Sequence, residues 1–470
     1  YSSDFVRAIA TAKYIATNNN LTINIDERLG EKVHFEHLEN GLDVILVPKK
    51  GATNYYAMYA THFGSLNYKF KAPGDEEITT VPDGVAHFLE HKLFEEEDGI
   101  NALDKLSKIG ANANAYTTFN HTAYLFSCND RFDEAFDILL KFVQSPYLTE
   151  ENVEKEKGII GQEINMYDDD PEWQVYFNLL YALFGEKHAV TKDIAGTVET
   201  IAEITPEVLY KCYNTFYDPS NMVICVAGDI DVESVLNKIK NSVKNEKEKP
   251  QIERYYGEFS NKVFKDEANI SNIEKNHMRK IAKVVKEKHI KYLTSRADVI
   301  EFAHQIIKWY NEKNLDLIKK DVAIEILLSV IAGESGELYE ELYNAGLINK
   351  PIGVDYTFEE DYACSSFSFE SNEVDKVVEK IKNKIAMLKE TGIDESVFNR
   401  VKKMLYGEYV KVFNDSTNTA RVFVSDYFKG INSFLYVDVY KTIDKEYVEK
   451  ILKEHFDFSN MALSIVKPEK

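Results

Sequence analysis

His87, Glu90 and His91 form His-x-x-Glu-His within the stretch Pro82-Asp83-Gly84-Val85-Ala86-His87-Phe88-Leu89-Glu90-His91-Lys92-Leu93-Phe94. On a helix, His87 and His91 lie one turn apart on one face. Two imidazoles at that separation can close on one metal ion. Glu90, three residues on from His87, points near the same place, and a carboxylate beside a metal is the usual general base of a zinc hydrolase. Phe88, Leu89, Leu93 and Phe94 make the helix largely apolar. Imidazoles and a carboxylate carried into the interior need a partner, and a metal is the simplest one. The competing reading is a surface helix with solvated His and Glu.

Two imidazoles leave such a site incomplete, and the third ligand is often a carboxylate. Glu95, Glu96 and Glu97 follow at once, but the acidic run through Asp98 reads as a solvated helix end. A helix from Glu150 to Met166, with Thr149 as its N-cap, offers Glu156 and Glu163. They are seven residues apart, hence on one face with Val153 and Ile160. Carboxylates on an apolar face again ask for a partner; exposed acids in a lysine-rich helix are the alternative.

The elements around these residues read as mixed. An Asn40-Gly41 turn signal precedes an apolar strand ending near Val47, and Tyr55 to Phe63 is a second strand. Ala102 to Ile109 is helical and stops at Gly110. Asn112 to Phe119 and Thr122 to Ser127 read as strands joined by a polar turn, and Phe132 to Val143 as an amphipathic helix. Helical material continues to about Tyr213, followed by a strand over 221–228 and a helix over Val232–Val243. Lys244 to Pro250 is charged, poor in apolar residues and ends in Pro, which predicts a linker over 244–255. Phe216-Tyr217-Asp218-Pro219-Ser220-Asn221-Met222 is similar to Phe456-Asp457-Phe458-Ser459-Asn460-Met461, and an apolar strand follows each. Its position near the end of each half predicts an internal duplication with two similar α+β domains, 31–243 and 256–470, after an N-terminal segment 1–30 of unknown role.

A chain of 470 residues exceeds one ordinary core. Its formal net charge of −22 argues against a nucleic-acid binder. Cys128, Cys212, Cys225 and Cys364 form no Cys-x-x-Cys pair and read as reduced thiols of a cytoplasmic protein. No stretch is long and apolar enough to span a membrane.

His87-Phe88-Leu89-Glu90-His91, followed by Glu156-Lys157-Gly158-Ile159-Ile160-Gly161-Gln162-Glu163, resembles the inverted-motif zinc peptidases of the pitrilysin and insulysin family, especially its half-length bacterial members. Asn114-Ala115 and Ile194-Ala195-Gly196-Thr197 agree with that family's edge strand and following loop. The resemblance is strong over residues 33–240 and weaker after the linker. It implies an α+β fold of two similar domains, each a mostly antiparallel sheet packed with helices, together half of a clamshell. It implies one Zn2+ per chain on His87, His91 and Glu163, with Glu90 as the base and Glu156 as an auxiliary acid. Asn114, Ala115 and Tyr116 would offer backbone groups to a peptide substrate added as a strand.

Two departures matter. Members that complete the site carry an Arg and a Tyr, six residues between them, on a helix of the second-half domain. The matching place, Glu337 to Lys350, has Tyr343 where Arg is expected and Asn349 or Lys350 near the Tyr position. Arg421 and Tyr427 have a similar spacing in a segment that does not match and read as structural. The resemblance therefore implies a zinc-bearing endopeptidase subunit completed by a homologous partner, a heterodimer in preference to a homodimer, with a non-catalytic scaffold or peptide-binding subunit as the alternative function. The second departure is at 275–312, where Ile281, Val284, Val285 and Tyr292 have helical spacing, as does a run from Val299 to Tyr310. A helical insertion is expected where relatives have a strand.

Overall fold

The computed structural model describes residues 33–243, 252–258, 280–287, 315–359 and 362–466. The expected N-terminal segment 1–30, the linker residues Lys244–Pro250 and the run Val299–Tyr310 lie outside the described residues. The described residues form two compact units. The first takes those up to 162, those of 193–256 and those of 409–434. The second takes those of 163–192, 257–408 and 435–466.

The first unit is built on a six-stranded sheet. Its strands are β1 (His34–His37), β2 (Asp43–Pro48), β3 (Tyr55–Thr61), β6 (Asn112–Thr117), β7 (Thr122–Cys128) and β8 (Met222–Gly228), in the order β1-β2-β8-β3-β7-β6. Only β2 and β8 run parallel; the other neighbours are antiparallel. Met222-Val223-Ile224-Cys225-Val226-Ala227-Gly228 is buried throughout, as an apolar strand flanked on both sides must be. A small sheet joins β4 (Lys69–Lys71), β5 (Thr79–Thr80) and β9 (Glu253–Arg254).

The helices α1 (Val85–Lys92), α2 (Ala102–Lys108), α3 (Phe132–Val143), α4 (Glu150–Asp168), α5 (Pro171–Phe184), α6 (Val198–Ala202), α7 (Pro206–Phe216) and α8 (Val232–Ser242) follow in chain order. α1 packs on β6, β7 and α7; α3 packs on β7 and β3. α4 starts where the sequence places it. Thr149 Oγ1 accepts from Asn152 N at 3.2 Å, and Asn152 Oδ1 accepts from Thr149 N at 2.9 Å, a reciprocal cap of the capping-box kind. The boundary between the units falls after Gln162, inside this unbroken helix.

The second unit is built on β10 (Lys280–Glu287), β11 (Gly353–Phe358), β12 (Ala363–Glu370) and β13 (Met461–Val466), all antiparallel, in the order β11-β12-β10-β13. Its helices include α5, α9 (Leu315–Ala332), α10 (Glu337–Asn344), α11 (Val374–Thr391) and α12 (Glu395–Val412), the last ending in the first unit. The order repeats the first sheet: β11, β12, β10 and β13 correspond to β6, β7, β3 and β8. The two similar sequence segments also match in structure, each a short 3-10 turn leading into β8 or β13. The α+β fold from an internal duplication is what the chain adopts.

The helical insertion expected at 275–312 is corrected over its described part. Lys280–Glu287 is a strand, paired on both sides: Ile281 faces Phe369 and Ile465, and Val284 faces Ser366 and Ala462. The 3,4 spacing of Ile281, Val284 and Val285 mimics a helix. Their β-branched side chains favour extended backbone, and two flanking strands supply its hydrogen bonds.

The last helices are α13 (Ser416–Phe428), α14 (Phe434–Thr442) and α15 (Lys445–His455). α13 belongs to the first unit and packs on β8 and β3. It carries Arg421 and Tyr427, and the Arg421 guanidinium also lies over the Tyr116 ring, 5.8 Å from its centroid. Arg421 Nε donates to Tyr56 Oη at 3.1 Å, and Tyr427 Oη donates to buried Asp43 Oδ2 at 2.7 Å. Tyr427→Phe leaves a buried carboxylate oxygen short of a donor, so unfolding free energy should fall by about 1–3 kcal/mol in urea titration.

Candidate metal centre

Gly84 and Gly196 set the start of α1. Gly84 has φ +89°, and a Cβ there would stand 2.3 Å from the Ala195 carbonyl oxygen. Gly196 has φ +74°, and its Cβ would stand 2.5 Å from the Asp83 oxygen. The Ile194–Thr197 loop and the turn before α1 interlock at backbone distance, which only glycine permits at both places.

α1 then buries most of its length: Val85, Ala86, His87, Phe88, Leu89, Glu90 and Lys92. His87 and His91 meet edge to face, ring centroids 4.6 Å apart. Each of His87, His91 and Glu163 offers one ligand atom, and these atoms all lie within 4.8 Å of one another. Among the described residues this is the one group of His, Cys and acidic residues placed to hold a metal ion. Burial first, and then the neighbouring His91, push the His87 imidazole down to about 3, so at neutral pH it presents a lone pair. Two imidazole nitrogens and a carboxylate oxygen are the donor set of a zinc site that keeps a position open. The residues present fit the metal.

Glu156 does not join that trio. Its Oε1 lies 3.1 Å from His91 Nδ1, and its Oε2 3.5 Å from Lys92 Nζ. Burial alone would raise this carboxyl; the His91 hydrogen bond and the Lys92 charge outweigh it and hold it below the ordinary carboxylate value. A carboxylate on Nδ1 fixes the tautomer and leaves Nε2 for a metal. Glu156 thus contacts His91, one of the three candidate ligands, and is not itself one of the trio. Glu90, also buried, accepts from Thr117 Oγ1 at 2.6 Å. Thr117 ends β6, and Thr122 opposite it lies 3.2 Å away, oxygen to oxygen.

Asn114, Ala115 and Tyr116 lie on β6, the outer strand of its sheet. Asn114 Oδ1 accepts from Ala115 N at 2.9 Å. Glu95, the alternative ligand, instead pairs with Lys92 at 2.8 Å, and Glu96 with Lys105 at 2.6 Å. In the second unit, Tyr343 on α10 is exposed, and Lys350 pairs with Glu370 at 2.8 Å. Sequence reasoning missed Thr117 and Lys92. A lysine directly after His91, followed by the apolar Leu93 and Phe94, was the available signal for Lys92; Thr117 carried none, since only the sheet register brings it to Glu90.

Residues 79–198 match the family described as Insulinase (Peptidase family M16), and residues 203–405 match the Peptidase M16 inactive domain. The chain is 36% identical over 445 residues to the uncharacterized zinc protease YmfH of Bacillus subtilis (strain 168), covering 94% of this chain and 98% of that one. A putative M16-like peptidase from Alicyclobacillus acidocaldarius superimposes with a TM-score of 0.81 at 32% identity, over 93% of this chain and 98% of the other. A protease from Helicobacter pylori shares the fold at 18% identity, TM-score 0.77, over 93% of this chain and 100% of the other.

Proposed function

Since this chain belongs to peptidase family M16, the insulinase family, we propose that it is the zinc-bearing subunit of a two-chain endopeptidase that hydrolyses peptides or leader sequences in a closed chamber. The convergence of His87, His91 and Glu163, with Glu90 on the same helix as the two histidines, carries this reading. His87, His91 and Glu163 would hold one Zn2+. Bound there, the metal would supply a Lewis acid for the scissile carbonyl and for the attacking water.

The other steps fall to the chain's own side chains. Glu90, one oxygen held by the Thr117 hydroxyl, takes the proton of the attacking water and returns it to the leaving amine. Glu156 keeps His91 oriented. The outer edge of β6 takes the substrate as an added strand over Asn114, Ala115 and Tyr116. The Asn114 carboxamide already accepts from Ala115 N–H, so an incoming peptide carbonyl replaces it there.

Tyr343, and Asn349 or Lys350, stand where completing members have Arg and Tyr, so the grip on the substrate carbonyl comes from a homologous partner, a heterodimer rather than a homodimer. Residues 31–243 form the zinc-binding peptidase domain in this reading, and 256–470 an inactive duplicate. The four cysteines are buried and unbridged, which supports a cytoplasmic location. No helix among the described residues is long and apolar enough to cross a membrane.

Two measurements test this. Metal analysis should find about one zinc per wild-type chain and essentially none in His91→Ala, because two of three ligands do not hold the ion. Absence of zinc from the wild type rejects the enzyme reading. Peptide cleavage is then assayed with the chain alone and with a homologous chain carrying the Arg and Tyr. Full activity from the isolated chain rejects the split site.

A further inference from the structure

Lys92 is fully buried, one residue past His91. An ammonium taken out of water needs carboxylates around it. Glu95, one helical turn on, lies 2.8 Å from Nζ and supplies one. The second is Glu156, from α4, at 3.5 Å. Successive side chains diverge by about 100° around a helix, so His91 and Lys92 reach Glu156 from two directions. His91 Nδ1 meets Oε1 and Lys92 Nζ faces Oε2. Each carboxylate oxygen therefore has its own partner, which restrains rotation of the carboxylate plane.

We propose that Lys92 is a positioning residue of the metal centre: it pins Glu156 so that Oε1 is presented to His91 Nδ1 and His91 is locked with Nε2 toward the ion. This rests on the zinc reading above. Its chemical content is separate from that reading, because Lys92 touches no ligand and acts through Glu156. Losing a carboxylate partner of a ligating histidine commonly weakens metal binding about 10–100-fold, and an unpinned carboxylate should cost a comparable part of that.

Zinc dissociation constants, measured by competition with a chelator on the full chain, decide the matter for wild type, Lys92→Met, Glu156→Gln and the double variant. Circular dichroism checks that each is folded. Each single variant should bind zinc about 10–100-fold more weakly, and the double variant no more weakly than the worse single one, since both changes remove one device. Lys92→Arg keeps the charge and should stay within about threefold of wild type on the same scale; Lys92→Gln, which also removes the charge, takes the place of Lys92→Met if that variant does not fold. Wild-type affinity in Lys92→Met, losses that multiply in the double variant, or a loss in folded Lys92→Arg as large as in Lys92→Met each overturn the proposal. A wild type that takes up no zinc refutes the metal reading itself, a result distinct from any difference among the variants, and this inference falls with it.

Discussion

Glu90→Gln should retain zinc, unfold like the wild type and lose about 10³-fold in kcat, with little change in KM, since general acid–base transfer is worth about 10²–10⁴. Glutamine keeps the size of glutamate, and its carbonyl oxygen still accepts from Thr117 Oγ1. What it lacks is a site for the proton. At about 1.4 kcal/mol per tenfold, the loss corresponds to about 4 kcal/mol of barrier. Steady-state cleavage with the partner present, alongside metal analysis of the same sample, separates this from a ligand defect. A loss below tenfold would show that another group moves the proton.

Gly84→Ala should destabilise the first unit by about 3 kcal/mol or more and weaken zinc binding with it, because left-handed strain and a backbone collision add. The new Cβ would meet the Ala195 carbonyl oxygen at 2.3 Å and its carbon at 2.8 Å, both backbone atoms that no rotamer change can clear. The strain falls at the residue before Val85, where α1 begins. Gly51→Ala is the internal control. Gly51 has φ +79°, but nothing lies within 4 Å of a Cβ there, so it should cost only the conformational part, about 1–2 kcal/mol. Urea unfolding of both variants tests the difference, and equal losses would show that the interlocked loops contribute nothing.

The centre was largely legible because its residues signal locally. Histidines four apart on one helix state their geometry in the sequence, whereas Glu163 was one of several acidic candidates and was singled out only by the family resemblance. Thr149 as a cap and Gly110 as a stop were legible for the same reason as the histidines. Lys280–Glu287 was not. Ile281, Val284 and Val285 satisfy a helical spacing, and only strands drawn from residues 363–370 and 461–466 reveal that the segment completes a sheet. Thr117 was hidden likewise, since its meeting with Glu90 depends on how β6 lies against α1. Arg421 and Tyr427 read as structural, but their targets, Tyr56 and Asp43, lie at the opposite end of the sequence and could not be named from spacing.

The first sheet has a consequence for synthesis. Its core strand β8 fits between β2 and β3, with Asp43 facing Val223 and Tyr59 facing Ile224, and α13 covers it only with residues 416–428. Contacts so distant along the chain carry a high loop-closure entropy and fold slowly. While the ribosome is still making the region between, β2 and β3 emerge with their facing edges unpaired, a state open to aggregation. The first unit therefore completes only after the chain has been made through Phe428, and truncations that end before it should depend on chaperones to stay in solution.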